Sequence, residues 1–221
     1  MRFKSIFPAG AAFMIGLSLL LANLAWADVN DDFIFSVKFD EAAKVQALLD
    51  QGVNPNFAEE ERGETALMIA VREESRNVFA VLLQHPKIQL EATANNGDTA
   101  LMLASYLGDL QAVTKLLEAG AKVNRAGWSA LHYAAAAGDV TVIESLLAHQ
   151  ADINAASPNK TTPLMMAVRA GKNNAVKLLI ERGADLRIKN DNGMNAYDFA
   201  VYYEQSTLAK ELAARLAELQ H

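Results

Sequence analysis

The stretch Thr65-Ala-Leu-Met68 returns down the chain as Thr99-Ala-Leu-Met102, Ser129-Ala-Leu-His132, Thr162-Pro-Leu-Met165 and Asn195-Ala-Tyr-Asp198, at intervals of 34, 30, 33 and 33 residues. A fixed period of this length marks a solenoid, in which one supersecondary unit recurs and no unit can bury its apolar face alone. A second column checks the register. An apolar residue, two variable positions and an apolar pair recur as Val45..Leu48-Leu49, Phe79..Leu82-Leu83, Val113..Leu116-Leu117, Ile143..Leu146-Leu147 and Val176..Leu179-Ile180, at intervals of 34, 34, 30 and 33. Both columns shorten by the same amount, so the deletion falls between Leu117 and Ser129. That stretch reads as a loop, where length changes cost least.

Between the columns stand Gly108-Asp109, Gly138-Asp139 and Gly171-Lys172, each where a glycine would end a short helix and open a turn. After the second column come Gly52-Val-Asn-Pro-Asn56, Gly120-Ala-Lys-Val-Asn124, Ala151-Asp-Ile-Asn154 and Gly183-Ala-Asp-Leu186, turn-formers that lead into an extended segment. One unit therefore reads as finger, short helix, turn, longer helix and loop.

These motifs resemble the ankyrin repeat, whose pattern carries Thr-Pro-Leu-His at the first helix, Gly-Asp at the turn and Gly-Ala-Asp-Val-Asn before the finger. The resemblance runs from about Asp31 to Leu216. It implies a mainly α fold, an ankyrin-repeat solenoid of about six helix-turn-helix units with β-hairpin-like fingers. The boundaries are 28–62 for an N-terminal capping unit, 63–190 for four central repeats (63–95, 96–125, 126–157, 158–190) and 191–221 for a C-terminal capping unit. Departures from the pattern are specific. Methionine replaces the family's histidine at Met68, Met102 and Met165, only Pro163 keeps the proline, and Glu74 and Glu204 stand where the turn glycine belongs, which predicts altered turns there. Leu67, Leu101, Leu131 and Leu164 should be buried between neighbours, with Ala70, Ala104, Ala134 and Ala167 allowing close approach.

Residues 1–27 read differently from the rest. Arg2 and Lys4 precede an apolar run from Ala9 to about Leu24, and Ala25-Trp26-Ala27 forms a small-x-small site, the layout of a secretory signal peptide cleaved after Ala27. The run is short of the ~20 residues that cross a bilayer, so no membrane attachment is expected after cleavage. The expected location is periplasmic or secreted, and the expected state a monomer. Without the segment, 18 basic residues face 26 acidic ones, a balance that repels phosphate backbones and argues against nucleic acid as a partner. The chain has no cysteine, which excludes disulfides, thiol redox chemistry and cysteine-zinc sites.

No catalytic arrangement emerges, and neither a cofactor nor a metal is expected. The four histidines, His85, His132, His149 and His221, lack metal-ligand spacing. His132 occupies the family's motif position, where the resemblance implies that it organises the backbone of adjacent fingers, and His85 and His149 fall near helix C-termini, where a cation suits the dipole. Ser129 holds a helix-capping position, and the Glu59-Glu60-Glu61 run reads as a solvated loop.

The remaining capacity is display. In the ankyrin family, fingers and first helices line a concave face that binds partner proteins. Transferred to this chain, that face carries Glu64, Asp98, Trp128, Thr161 and Met194 before each motif. It carries Ile69, Leu103, Tyr133, Met166 and Phe199 one helical turn inside, and Arg72, Tyr106, Ala136, Arg169 and Tyr202 beyond. Within these sets Trp128, Tyr133, Tyr106, Leu103, Met166, Arg169, Phe199, Tyr202, Asp98 and Glu64 are the candidate protein-binding residues. Trp, Tyr and Arg most often anchor interfaces. Trp128, in the shortened finger, is expected to form the centre with Tyr106 and Tyr133. The resemblance implies an interaction scaffold or adaptor. Similar exported bacterial ankyrin proteins have been associated with catalase and peroxide defence or with neutralising a toxin, which would make the partner an enzyme.

Overall fold

The computed structural model describes residues 29–219, so the signal-peptide reading of 1–27 and its cleavage site lie outside the described residues. Helix α1 covers 29–38 within them. It is followed by α2 (Ala42–Asp50), α3 (Ala66–Arg72), α4 (Arg76–Gln84), α5 (Ala100–Leu107), α6 (Leu110–Glu118), α7 (Ala130–Ala137), α8 (Val140–Ala148), α9 (Pro163–Arg169), α10 (Asn173–Glu181), α11 (Ala196–Tyr202) and α12 (Ser206–Glu218). Consecutive helices pair as six units, and the first helices α3, α5, α7, α9 and α11 stack on one another in order.

The helices are too short to persist in isolation, since helices under ~12–15 residues are marginal in water. Burial between units stabilises them instead. Leu67, Leu101, Leu131 and Leu164 are buried in the seams, and Ala70, Ala104, Ala134 and Ala167 lie beside them. Met68, Met102 and Met165 are buried as well, as core packing requires. Each first helix is started by its motif residue: Oγ1 of Thr65, Thr99 and Thr162 accepts the backbone N–H three residues on, at 3.3–3.4 Å.

The turns at Glu74 and Glu204 correct the expectation drawn from the missing glycine. Both residues adopt the left-handed conformation, with φ of 56° and 58°, as does Asp40 at 56°. The backbone bonds Ser75 N–H to Ala70 O and Gln205 N–H to Ala200 O match Asp109 N–H to Ala104 O at a glycine turn. Packing of the two helices dictates the turn, and these side chains bear a left-handed conformation costing roughly 1–2 kcal/mol. At Gly138 no such exchange is open, because φ is +84° and a Cβ would lie 2.6 Å from Cδ of Lys172.

The fingers are tighter than β-hairpins. Among the described residues a lone antiparallel bridge, Ala58 with Thr65, is the extent of strand pairing. Elsewhere two backbone bonds close each tip: Ala94 N–H to Asp98 O and Gly97 N–H to Ala94 O, both at 2.9 Å, Ser157 N–H to Thr161 O at 3.1 Å and Lys160 N–H to Ser157 O at 2.8 Å, and Asn190 N–H to Met194 O at 3.0 Å and Gly193 N–H to Asn190 O at 2.9 Å. Neighbouring tips are joined by Asn95 N–H to Arg62 O at 2.9 Å and Asp191 N–H to Asn159 O at 3.0 Å. The shortened finger lies between α6 and Ser129 and is held by Arg125, whose guanidinium reaches Gly97 O at 3.0 Å.

Candidate protein-binding face

His132 shows how the finger wall is fixed. Its Nδ1 accepts the backbone N–H of Ser129 at 3.2 Å and lies 2.9 Å from the Ser129 hydroxyl, while Nε2–H donates to Thr161 O of the next finger at 2.9 Å. Ser129 thus directs its hydroxyl to the imidazole, whereas the motif threonines direct theirs to the helix backbone. Burial holds the His132 pKa below the ordinary histidine value, against the smaller upward pull of the carbonyls of Thr161 and Ala155. The ring is a neutral bridge between two fingers. Trp128 stands edge-on against it, with ring centroids 5.2 Å apart at 78°.

His149 and His85 end α8 and α4 as expected of C-terminal residues, with His149 Nδ1 2.8 Å from Ser145 O. Glu59 does more than face water. Its carboxylate accepts the backbone N–H groups of Glu61, Arg62 and Glu64 at 2.7–3.1 Å, closing the finger before α3. Partial burial opposes its ionisation, and these N–H groups outweigh that effect to leave its pKa lowered.

The candidate residues separate into three places along the face formed by the fingers and first helices. Glu64, Asp98 and Leu103 line a hollow of about 210 Å³ with Arg62, Met68 and Asn96. Its acids are already engaged: Glu64 accepts from Arg72 Nε at 2.9 Å, and Asp98 accepts from Asn96 and from the Tyr133 hydroxyl. Burial first, and the Asp98 carboxylate second, push the Tyr133 phenol pKa up. Tyr133 and the exposed Tyr106 form the middle place, their rings edge-to-face at 6.2 Å.

The third place is a cleft of about 330 Å³ that gathers Trp128, Met166, Arg169, Phe199 and Tyr202. Trp128 therefore faces the C-terminal units, and the residues lining its cleft do not include Tyr106 or Tyr133. The apolar set is unevenly presented. Ile69 is fully buried and Phe199 is 7% exposed, so Phe199 forms a floor, while Tyr202 is 70% exposed at the rim. Thr161 and Met194 also line it, and the finger residues Asn159, Asn190 and Asn192, together with Tyr203, complete the lining and were not anticipated from sequence. A positional signal existed: Asn159 and Asn192 stand two residues before Thr161 and Met194, as Asn96 stands before Asp98.

Among the described residues, no group of three or more His, Asp or Glu side chains could hold a metal ion, and no helix is long and apolar enough to cross a membrane.

The family model described as ankyrin repeats (3 copies) matches residues 33–126, 85–157 and 131–220. The chain is 31% identical over 162 residues to human transient receptor potential cation channel subfamily A member 1, covering 68% of this chain and 14% of the channel. It is 30% identical over 176 residues to human SH3 and multiple ankyrin repeat domains protein 2, covering 78% of this chain and 10% of that protein. Against the mouse B-cell lymphoma 3 protein homolog it is 31% identical over 153 residues, covering 66% of this chain and 34% of the relative. The likeness thus spans a minor part of each relative and lies in the repeats they share. On this family match, and on the six stacked helix pairs that agree with it, the chain belongs to the ankyrin repeat family.

Proposed function

We propose that the chain is an exported, periplasmic interaction scaffold or adaptor that binds a partner protein through its concave face, most strongly at the cleft between Trp128 and Tyr202. The observation that carries this reading is that cleft, where exposed Arg169 and Tyr202 stand beside half-buried Trp128 and Met166 over a Phe199 floor. Aromatic and arginine anchors around a concavity are the usual composition of binding hot spots. The walls are rigid because the tips of the fingers are bonded to one another, so little ordering entropy opposes association. Export is supported by the signal-like layout of Arg2 to Ala27.

Affinity capture from a periplasmic extract, with the intact mass of the exported chain recorded alongside, tests both parts. The wild-type chain should start at Asp28 and retain a partner that Tyr202→Ala loses. Retention of the partner by Tyr202→Ala would argue against this face, and a mass that includes residues 1–27 would argue against the soluble exported form.

A further inference from the structure

Arg72 and Arg169 occupy the same position of their units, the last residue of α3 and of α9, yet their surroundings differ. Arg72 is neutralised within the chain, by Glu64 at 2.9 Å and Glu73 at 2.7 Å. The residues at the corresponding positions of the later unit are Thr161 and Ala170, so both carboxylates are missing. Arg169 makes no salt bridge among the described residues. It lines the 330 Å³ cleft, and no residue lining that cleft is acidic. The geometry points to a partner segment that places a carboxylate on Arg169 and an adjacent apolar or aromatic side chain against Trp128, Met166 and Tyr202. This rests on the concave face being the protein-binding surface.

Three features favour that occupant. A planar guanidinium takes a carboxylate through two parallel hydrogen bonds, which are strong and directional. A segment seated against the aromatic walls would exclude water from the pair and so strengthen it. The polar lining around Arg169 consists of uncharged amide and hydroxyl groups, which can bond a peptide backbone without competing for the cation.

The test is a random nonapeptide display library panned on the full folded chain, followed by calorimetry of the enriched consensus peptide. The selected sequences should carry Glu or Asp next to Phe, Tyr, Leu or Met. Replacing that Glu or Asp by its amide, or introducing Arg169→Gln, should each weaken binding at least tenfold, and the two together should weaken it little further. Three results overturn the inference: enrichment of peptides without an acid, enrichment of no motif, or an amide peptide that binds as well as the acid. Trp128→Ala and Tyr202→Ala locate the failure. If they abolish binding while the charge changes do nothing, the face still binds protein and the carboxylate assignment alone falls. If they also leave binding intact, the face itself is not the binding surface.

Discussion

Two strips of side chains run along the first helices. The strip facing neighbouring units repeats itself, as Leu67, Leu101, Leu131 and Leu164, all buried. The strip facing the hollow changes at each step, from Ile69 through Leu103, Tyr133 and Met166 to Phe199. Every seam poses the same packing problem, so one solution recurs, and interior packing tolerates little change in volume. The hollow is not constrained in that way. Its residues vary in size and depth, from buried Ile69 to partly exposed Leu103, Tyr133 and Met166. Substitutions in the first strip should therefore change stability, and substitutions at the exposed positions around the hollow should change binding.

The largest effect belongs to the seam. Leu131→Ala should cost about 2–5 kcal/mol of unfolding free energy, read by denaturant melts, as for other buried leucines. An unchanged midpoint would show that the register of the stack is wrong. At the rim of the hollow, Tyr202→Ala should weaken partner binding by about 2 kcal/mol, the scale of an interface anchor, with its melting temperature close to wild type.

His132 lies between the strips, because it stitches two fingers and supports Trp128. Its pKa in the folded chain is lowered, so its contribution to stability is complete above the unfolded histidine value of about 6.5 and is lost as pH falls through the folded value. His132→Met, which installs the residue that three other units carry, should flatten this acid-side loss and lower stability near neutral pH by about 1 kcal/mol through the missing bond to Thr161. An equally steep acid limb in the variant would remove His132 as its source. The smallest effect is expected at the turns. Glu74→Gly should stabilise by about 0.5–1 kcal/mol, since glycine bears a left-handed φ without the penalty of a side chain. Destabilisation instead would mean that Glu74 makes a contact worth more than its strain.

The seam strip was legible in the sequence because it is periodic. Two columns located the helix pairs and even the shortened finger, since a deletion shifts every later repeat together. Turn conformation was not legible in the same way. Glu74 and Glu204 differ from glycine in type but not in backbone, because the neighbouring helices impose the geometry. The site was legible by column but not by exposure. Ile69 and Phe199 share a column with Tyr133, and how deep each lies depends on neighbours in adjacent units. One repeat length before Ile69 stands Phe35, which is 51% exposed beside Phe39, a pair that the degenerate first motif concealed.

In the proposed division of labour the C-terminal end of the hollow holds another protein while the seams hold the fold. The direct measurement is paired: partner affinity and melting temperature for Tyr202→Ala, recorded side by side with those of the wild-type chain. Affinity should fall at least tenfold with the melting temperature unchanged within a few degrees. Undiminished affinity in a fully folded Tyr202→Ala chain would contradict it.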